Sequence, residues 1–417
     1  LLLATVSKPY SYVGSGVRLT LCKARRGLLC KFPNESNGNG GKAIVWADKA
    51  TGFYGNITAK GGSQSGNGGF VEVSGKQDLV FRGLVDTSAV NGNMGTLLLD
   101  PTNITIKNGT GDGSPGGGDY STETFSGSPS GVTGQVLQTD SEPTIIYESE
   151  LEDLSGNTNV ILEAADNITI EELATLDFKS GSGSITFTAD ANQDGISAFA
   201  METADAIFAP GRKLTISGAS VTTGNIITAE INKNGGDVTI NASRGDISTG
   251  GIGTASAFRN SGKVELNAAQ GNVAVKNIIT YSASGNGGDV SLTANNGNGT
   301  ITIEDSSALR NILQQYIEEY VPAPFSSMLP MPETIDTSVF SEPSSGKAGN
   351  INFTGKVLLN SPDIRLKSSS TFKSDGNITF NKTVDGTATS NNFLTLSHFT
   401  KYLLQIKREE YNSSLLN

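Results

Sequence analysis

The sequence predicts an all-β protein wound as a right-handed parallel β-helix, with about 26 residues and about three short strands per coil, extruded loops and one short helix. Three observations carry this. The 417 residues include 51 glycines without a Gly-X-Y period, so tight turns are dense and collagen is excluded. Short runs of Val, Ile, Leu and Thr alternate with clusters of Gly, Asn, Ser and Asp. A strand motif also returns at a spacing of 26: NGGDVTINA (234–242), NSGKVELNA (260–268) and NGGDVSLTA (286–294).

The period runs through the whole coil. Val221, Ile247 and Val273 form one column at the same spacing, Ile226, Ile252 and Ile278 a second, and Thr228, Thr254 and Thr280 a third. The repeated motif supplies two more, Val238, Val264, Val290 and Ile240, Leu266, Leu292. Within each strand apolar residues alternate, so one face is buried and the other wet. A three-strand unit of this size cannot close a core alone. Wound as a solenoid, it pairs each strand with its equivalent ~4.8 Å above and below. Glycine suits the sharp corners because it accepts positive φ. Asn and Asp tolerate the same geometry, so Asp237, Asp246 and Asp289 read as corner residues, and Asn241 over Asn267 as an amide ladder.

Looser repeats extend the pattern. Val71 and Leu97 are 26 apart, GGKAIVWA (40–47) precedes them by about one coil, and Leu214 lies 24 before Val238. Ile301 follows Val273 with two residues inserted, and NITI (103–106, 167–170), NINF (350–353) and NITF (377–380) repeat one strand theme.

Five segments follow. Residues 1–38 form a poorly ordered N-terminal segment, 39–305 the β-helix with a low-complexity loop at 108–143, and 306–346 a helix plus a Pro-rich insertion. Residues 347–396 are further coils, and 397–417 a tail. The helix, SSALRNILQQYIEEY (306–320), places Leu309, Ile312, Leu313, Tyr316 and Ile317 on one face, which suits it to covering apolar surface of its own solenoid or binding a partner. The two ends differ in composition from the middle: 1–38 holds six basic residues and both cysteines, Cys22 and Cys30, which are free to form one disulfide.

The formal charge of −11 repels phosphate backbones, so nucleic acid is not an expected partner. No apolar run reaches the length of a membrane-spanning helix. The only histidine is His398, so the coils lack the residue that Ser-His-Asp catalysis requires. Catalysis on an outer face would instead need clustered carboxylates with a lysine or arginine. No catalytic residue is assigned from the sequence.

Two binding candidates remain. Asp190, Asn192 and Asp194, followed by Gly195, match the opening D-x-[DN]-x-[DN]-G of a calcium loop, but Met201 occupies the position of its bidentate glutamate. The same residues make an acidic turn, which needs no cofactor. Trp46, Phe53 and Tyr54 form an aromatic group suited either to stacking on a glycan or to filling an early coil.

GGKAIVWADKATGFYGNITAKGGSQSGNGGFVEVSGKQDLVFRGLVDTS with GTLLLDPTNITI (40–106), YESELEDLSGNTNVILEAADNITI (147–170) and GSGSITFTADANQDG (181–195) resemble cyanobacterial filamentous-haemagglutinin-like two-partner secretion exoproteins. The resemblance covers about 39–305, with 347–396 as a looser continuation. It implies a secreted β-helix at the surface of a Gram-negative-type bacterium, exported through an outer-membrane β-barrel transporter and adhering to glycans or proteins of a host, a neighbouring cell or matrix. The N-terminal secretion domain of such proteins has no counterpart here, so the expectation is a fragment. The expected function is therefore a structural, adhesive surface rod without catalysis. The alternatives are a polysaccharide-binding or polysaccharide-cleaving β-helix, and a degenerate gene fragment without a function of its own.

Overall fold

The computed structural model describes residues 3–7, 29–31, 36–47, 50–53, 56–108, 144–171, 173–320, 334–338, 346–361, 363–370, 374–386 and 393–397. The protein is a parallel β-helix, as the repeat predicts, and its chain forms two compact units, Leu1–Ala200 and Met201–Asn417.

In the second unit the columns read from the sequence are the strand pairings. The first sheet stacks Leu214–Gly218, Val238–Ala242, Val264–Ala268, Val290–Ala294, Ile351–Thr354 and Ile378–Phe380, all parallel. Val238 pairs with Val264 and Val264 with Val290, each at most 1% exposed. Val221, Ile247, Val273 and Ile301 continue the second sheet, and Ile226, Ile252, Ile278 and Ile335 the third. Full burial of each such side chain contributes roughly 1.5–3 kcal/mol relative to leaving it in water. The stacking therefore sets the register, since a slip by one residue would turn every apolar side chain outward.

The threonine column has a role that the spacing alone did not define. Thr228, Thr254 and Thr280 are buried, and their hydroxyls donate to the carbonyls of Gly236, Gly262 and Gly288 at 2.6, 2.6 and 2.7 Å. Each bond closes the corner between the third and first sheets. At the outer corners, side-chain oxygens bind the next coil. Asn234 accepts from the Asn260 N–H at 3.2 Å and Asn260 from the Asn286 N–H at 2.9 Å. Asp237, Asp246 and Asp289 accept in the same way from Lys263, Asn272 and Asn350. They are corner residues, as expected. The ladder at 234, 260 and 286 replaces the one expected at Asn241 and Asn267, which are opposed strand residues on the outer face.

Among the described residues two α-helices interrupt the coils. Helix α1 (Glu148–Glu152) follows directly on the strand Ile145–Tyr147. The buried Arg82 anchors this region: its guanidinium lies 4.5 Å from the Tyr147 ring centre and 4.0 Å from the Glu150 carboxylate, and donates to the carbonyls of Phe81 and Ile145. Helix α2 (Ser307–Tyr320) is the predicted amphipathic helix. Leu309 and Leu313 are buried against Ile227, Ala229, Ala255, Ile279 and Tyr281, so the helix covers apolar surface outside the third sheet. The side chains of Tyr316 and Ile317 lie outside the described residues. The Pro-rich insertion contributes a strand to the solenoid: Ile335–Asp336 inside 306–346 pairs with Ile278–Ile279 in the third sheet. With a single apolar residue facing inward, that strand carries no alternation for sequence reading to detect.

In the first unit the first sheet stacks Lys42–Ala47, Phe70–Gly75, Thr96–Leu99, Asn159–Glu163 and Ile185–Thr188. Leu3–Ser7 adds an antiparallel strand on Lys42–Ala47, and Leu29–Lys31 pairs with Asn56–Thr58. The two NITI motifs stack on one another in the second sheet, whereas NINF and NITF stack in the first, so one sequence theme serves two sheets. Residues 109–143 of the expected loop, the tail beyond 397 and any pairing of Cys22 with Cys30 lie outside the described residues. Among the described residues, no helix is long and apolar enough to cross a membrane.

Candidate functional site

The outer face of the first sheet differs between the two units. In the second unit its rows are polar, as with Thr215, Thr239, Glu265 and Ser291. In the first unit the outward positions carry apolar, aromatic and acidic side chains. Alternation forces this: Ala43, Val45, Val71, Val73, Leu97 and Leu99 fill the interior, so their even-numbered neighbours face out.

Two columns result. Ile44, Glu72, Leu98 and Ile161 are successive partners in register. Trp46 pairs with Ser74, and one position beyond Val73–Leu99 and Leu99–Leu162 the same register brings Ser74, Asp100 and Glu163 side by side. Trp46, Glu72, Asp100 and Glu163 are all half-buried. The Ser74 hydroxyl is buried and donates to Glu72 Oε1 at 2.9 Å, which orients that carboxylate. Lys42 places its ammonium 5.2 Å from the ring centre of Phe70 at the margin of the face. Partial burial, then the negative charges of Glu163 and Glu72, push the Asp100 carboxyl up to about 6. At neutral pH the site is thus an acidic, partly apolar platform with one carboxyl that takes up a proton readily.

Of the aromatic trio proposed from the sequence, Trp46 belongs to this face. Phe53 is corrected: it is 2% exposed and stacks on Phe81 at 5.6 Å and 21°, so it fills the coil and is closed to a sugar. Its burial follows from the pairing of Ala50–Phe53 with Asp78–Phe81, which sets the two rings one above the other. Tyr54 lies outside the described residues.

The calcium candidate folds back on itself. Asp190 accepts from the Gly195 N–H at 3.0 Å, Asn192 from the Asp194 N–H at 3.1 Å, and Asp194 from the Ile196 N–H at 2.9 Å. Gln193 and Gly195 have positive φ, which closes the turn. Among the described residues no group of three or more His, Cys, Asp and Glu side chains is placed to hold a metal ion.

The acidic cluster escaped sequence reading because Glu72, Asp100 and Glu163 are separated by unequal intervals, the second containing the 108–143 insertion. The signal available was three outward-parity acids in strands whose inward residues already matched. No family model matches the chain, and no curated protein is matched by it.

Proposed function

We propose that the protein is a structural, adhesive surface element without catalytic activity, of the filamentous-haemagglutinin type that its sequence resembles. It would act outside a Gram-negative-type cell, with glycans or proteins of a neighbouring cell, host or matrix as partners. The observation that carries this reading is how the repeat uses its polar side chains. The buried threonines close a corner of each coil, and the corner Asn and Asp residues hold one coil on the next, so these polar side chains serve the fold itself. The test is retention of the labelled chain on bacterial cells and extracellular matrix. Saturable retention, with no reducing ends released from polysaccharide in the presence of calcium, is the expected result.

One observation favours a second reading. Asp100 and Glu163 are neighbouring carboxyls, and that of Asp100 is raised to about 6, as the general acid of a glycoside-cleaving carboxyl pair requires. Reducing ends released by the chain and abolished by Asp100→Asn would replace the adhesive reading with this one.

A further inference from the structure

We propose that the outer face built on Trp46, Glu72, Asp100 and Glu163 is a binding platform for a neutral, extended glycan. This deepens the adhesive reading, on which it rests, by naming the chemistry of the bound partner.

The shape comes first. Four successive coils carry Trp46, the buried Ser74, Asp100 and Glu163 at one register position, with Asp100 one residue beyond its strand, a run of ~14 Å along the stacking direction. Such a surface is flat and repeats at every coil, so it suits a ligand that is itself extended and periodic. The chemistry comes second. A sugar ring has an apolar C–H face and a rim of hydroxyls. Trp46, with Ile44, Leu98 and Ile161 in the neighbouring column, supplies apolar contact for the first. Glu72, Asp100 and Glu163 supply acceptors for the second, and Ser74 already holds Glu72 in place.

Charge then selects among extended ligands. Three carboxyls on the platform repel uronates, sulfated chains and nucleic acid. A cationic peptide would meet that charge, but two features favour hydroxyls. Asp100 holds its proton up to about pH 6, and a protonated carboxyl donates as well as accepts, as a hydroxyl partner uses and an ammonium does not. Outward apolar residues also flank the acids, with Glu72 between Ile44 and Leu98. That pattern matches alternating apolar and hydroxylated surface better than a run of positive charge.

Trp46 is the only tryptophan, so its fluorescence reports on the platform directly. Titration of the full chain with cellohexaose, xylohexaose and laminarihexaose is expected to shift the emission saturably for at least one of them. Polygalacturonate and oligolysine are expected to leave it unchanged. By calorimetry, Glu163→Gln and Trp46→Ala should each weaken that binding at least about tenfold, while Asn241→Ala on the polar outer face of the second unit has no effect. An unchanged urea midpoint and far-UV spectrum for Glu163→Gln separates loss of binding from loss of fold. The proposal is overturned if no neutral hexasaccharide binds, if polygalacturonate or oligolysine binds instead, or if Trp46→Ala and Glu163→Gln bind as the parent does. Retention on cells that survives Trp46→Ala would overturn the platform while leaving the adhesive reading standing. Loss of retention by the parent chain would remove the adhesive reading itself.

Discussion

Thr254 and Gly262 hold each other twice. The Thr254 hydroxyl donates to the Gly262 carbonyl at 2.6 Å, and the Gly262 N–H donates to the Thr254 carbonyl at 3.0 Å. The same double link joins Thr228 to Gly236 and Thr280 to Gly288, so it recurs once per coil at one corner.

Replacing that hydroxyl with a methyl group of the same shape leaves a buried carbonyl without its partner. Thr254→Val is therefore expected to cost about 1–2 kcal/mol. Thr254→Ser should recover most of the loss. Gly262→Ala should be worse than either, because a Cβ there would overlap the Gly236 carbonyl oxygen of the coil below. Urea unfolding of the three variants gives the order. A Thr254→Val midpoint equal to the parent's would show that the corner does not depend on the bond.

Helix α2 depends on glycines beneath it. Leu309 is 0% exposed and lies over Gly251, and Leu313 lies over Gly253, where Cβ atoms would press into the leucine side chains. Leu309→Ala is expected to weaken docking by roughly 2–4 kcal/mol. Gly251→Val should act in the same direction by filling the seat. Both predict faster proteolysis within 307–320 and increased binding of a hydrophobic dye, with the β signal of the coils retained. Protection equal to the parent's in both variants would refute this account of the docking.

Asp100 gives the stability a pH dependence of defined sign. Its carboxyl is raised in the folded state from 3.8 to about 6, so the native chain holds the proton more tightly than the unfolded one. Its contribution is present below about pH 4 and is lost as pH rises through about 6. A shift of that size corresponds to roughly 3 kcal/mol by linkage, reduced to about 1 kcal/mol because the group is half-exposed and screened. Asp100→Asn should thus stabilise the chain by about 1 kcal/mol at pH 7.5 and leave it little changed at pH 4. Equal effects at both pH values would contradict the assignment.

The loop at 190–195 is expected to be independent of calcium, because its side-chain oxygens already accept from the loop's own N–H groups. A site with a dissociation constant tenfold below the added calcium would stabilise the fold by about 1.4 kcal/mol. No rise in the thermal midpoint is expected on adding calcium, nor any fall with a chelator. A rise that Asp194→Ala removes would instead make the loop a metal site.

Much of this was legible before any coordinates. Val238, Val264 and Val290 had to stack because each is apolar, recurs at one interval and is flanked by corner residues. Leu309 and Leu313 marked the buried face of α2 through helical spacing. Other parts were hidden for definable reasons. Phe53 and Trp46 look alike in sequence, and only parity within their strands separates a core ring from an outward one. The strand Ile335–Asp336 was concealed in a Pro-rich stretch because two residues cannot show a period. Asn241 and Asn267 do oppose each other, but the side-chain-to-backbone ladder runs through the corner residues Asn234, Asn260 and Asn286 instead.

Sequence alone determined the winding, because buried faces repeat with a period of two along a strand and of one coil along the stack. Those constraints act on residues near one another or at a constant interval. Tertiary structure decided which outward residues become neighbours. Burial leaves their spacing free, and corners and insertions of unequal length lie between them. Thus Asp100 and Glu163 stand side by side although the 108–143 insertion separates them in the chain. The field that Glu163 imposes on the Asp100 carboxyl follows from that register.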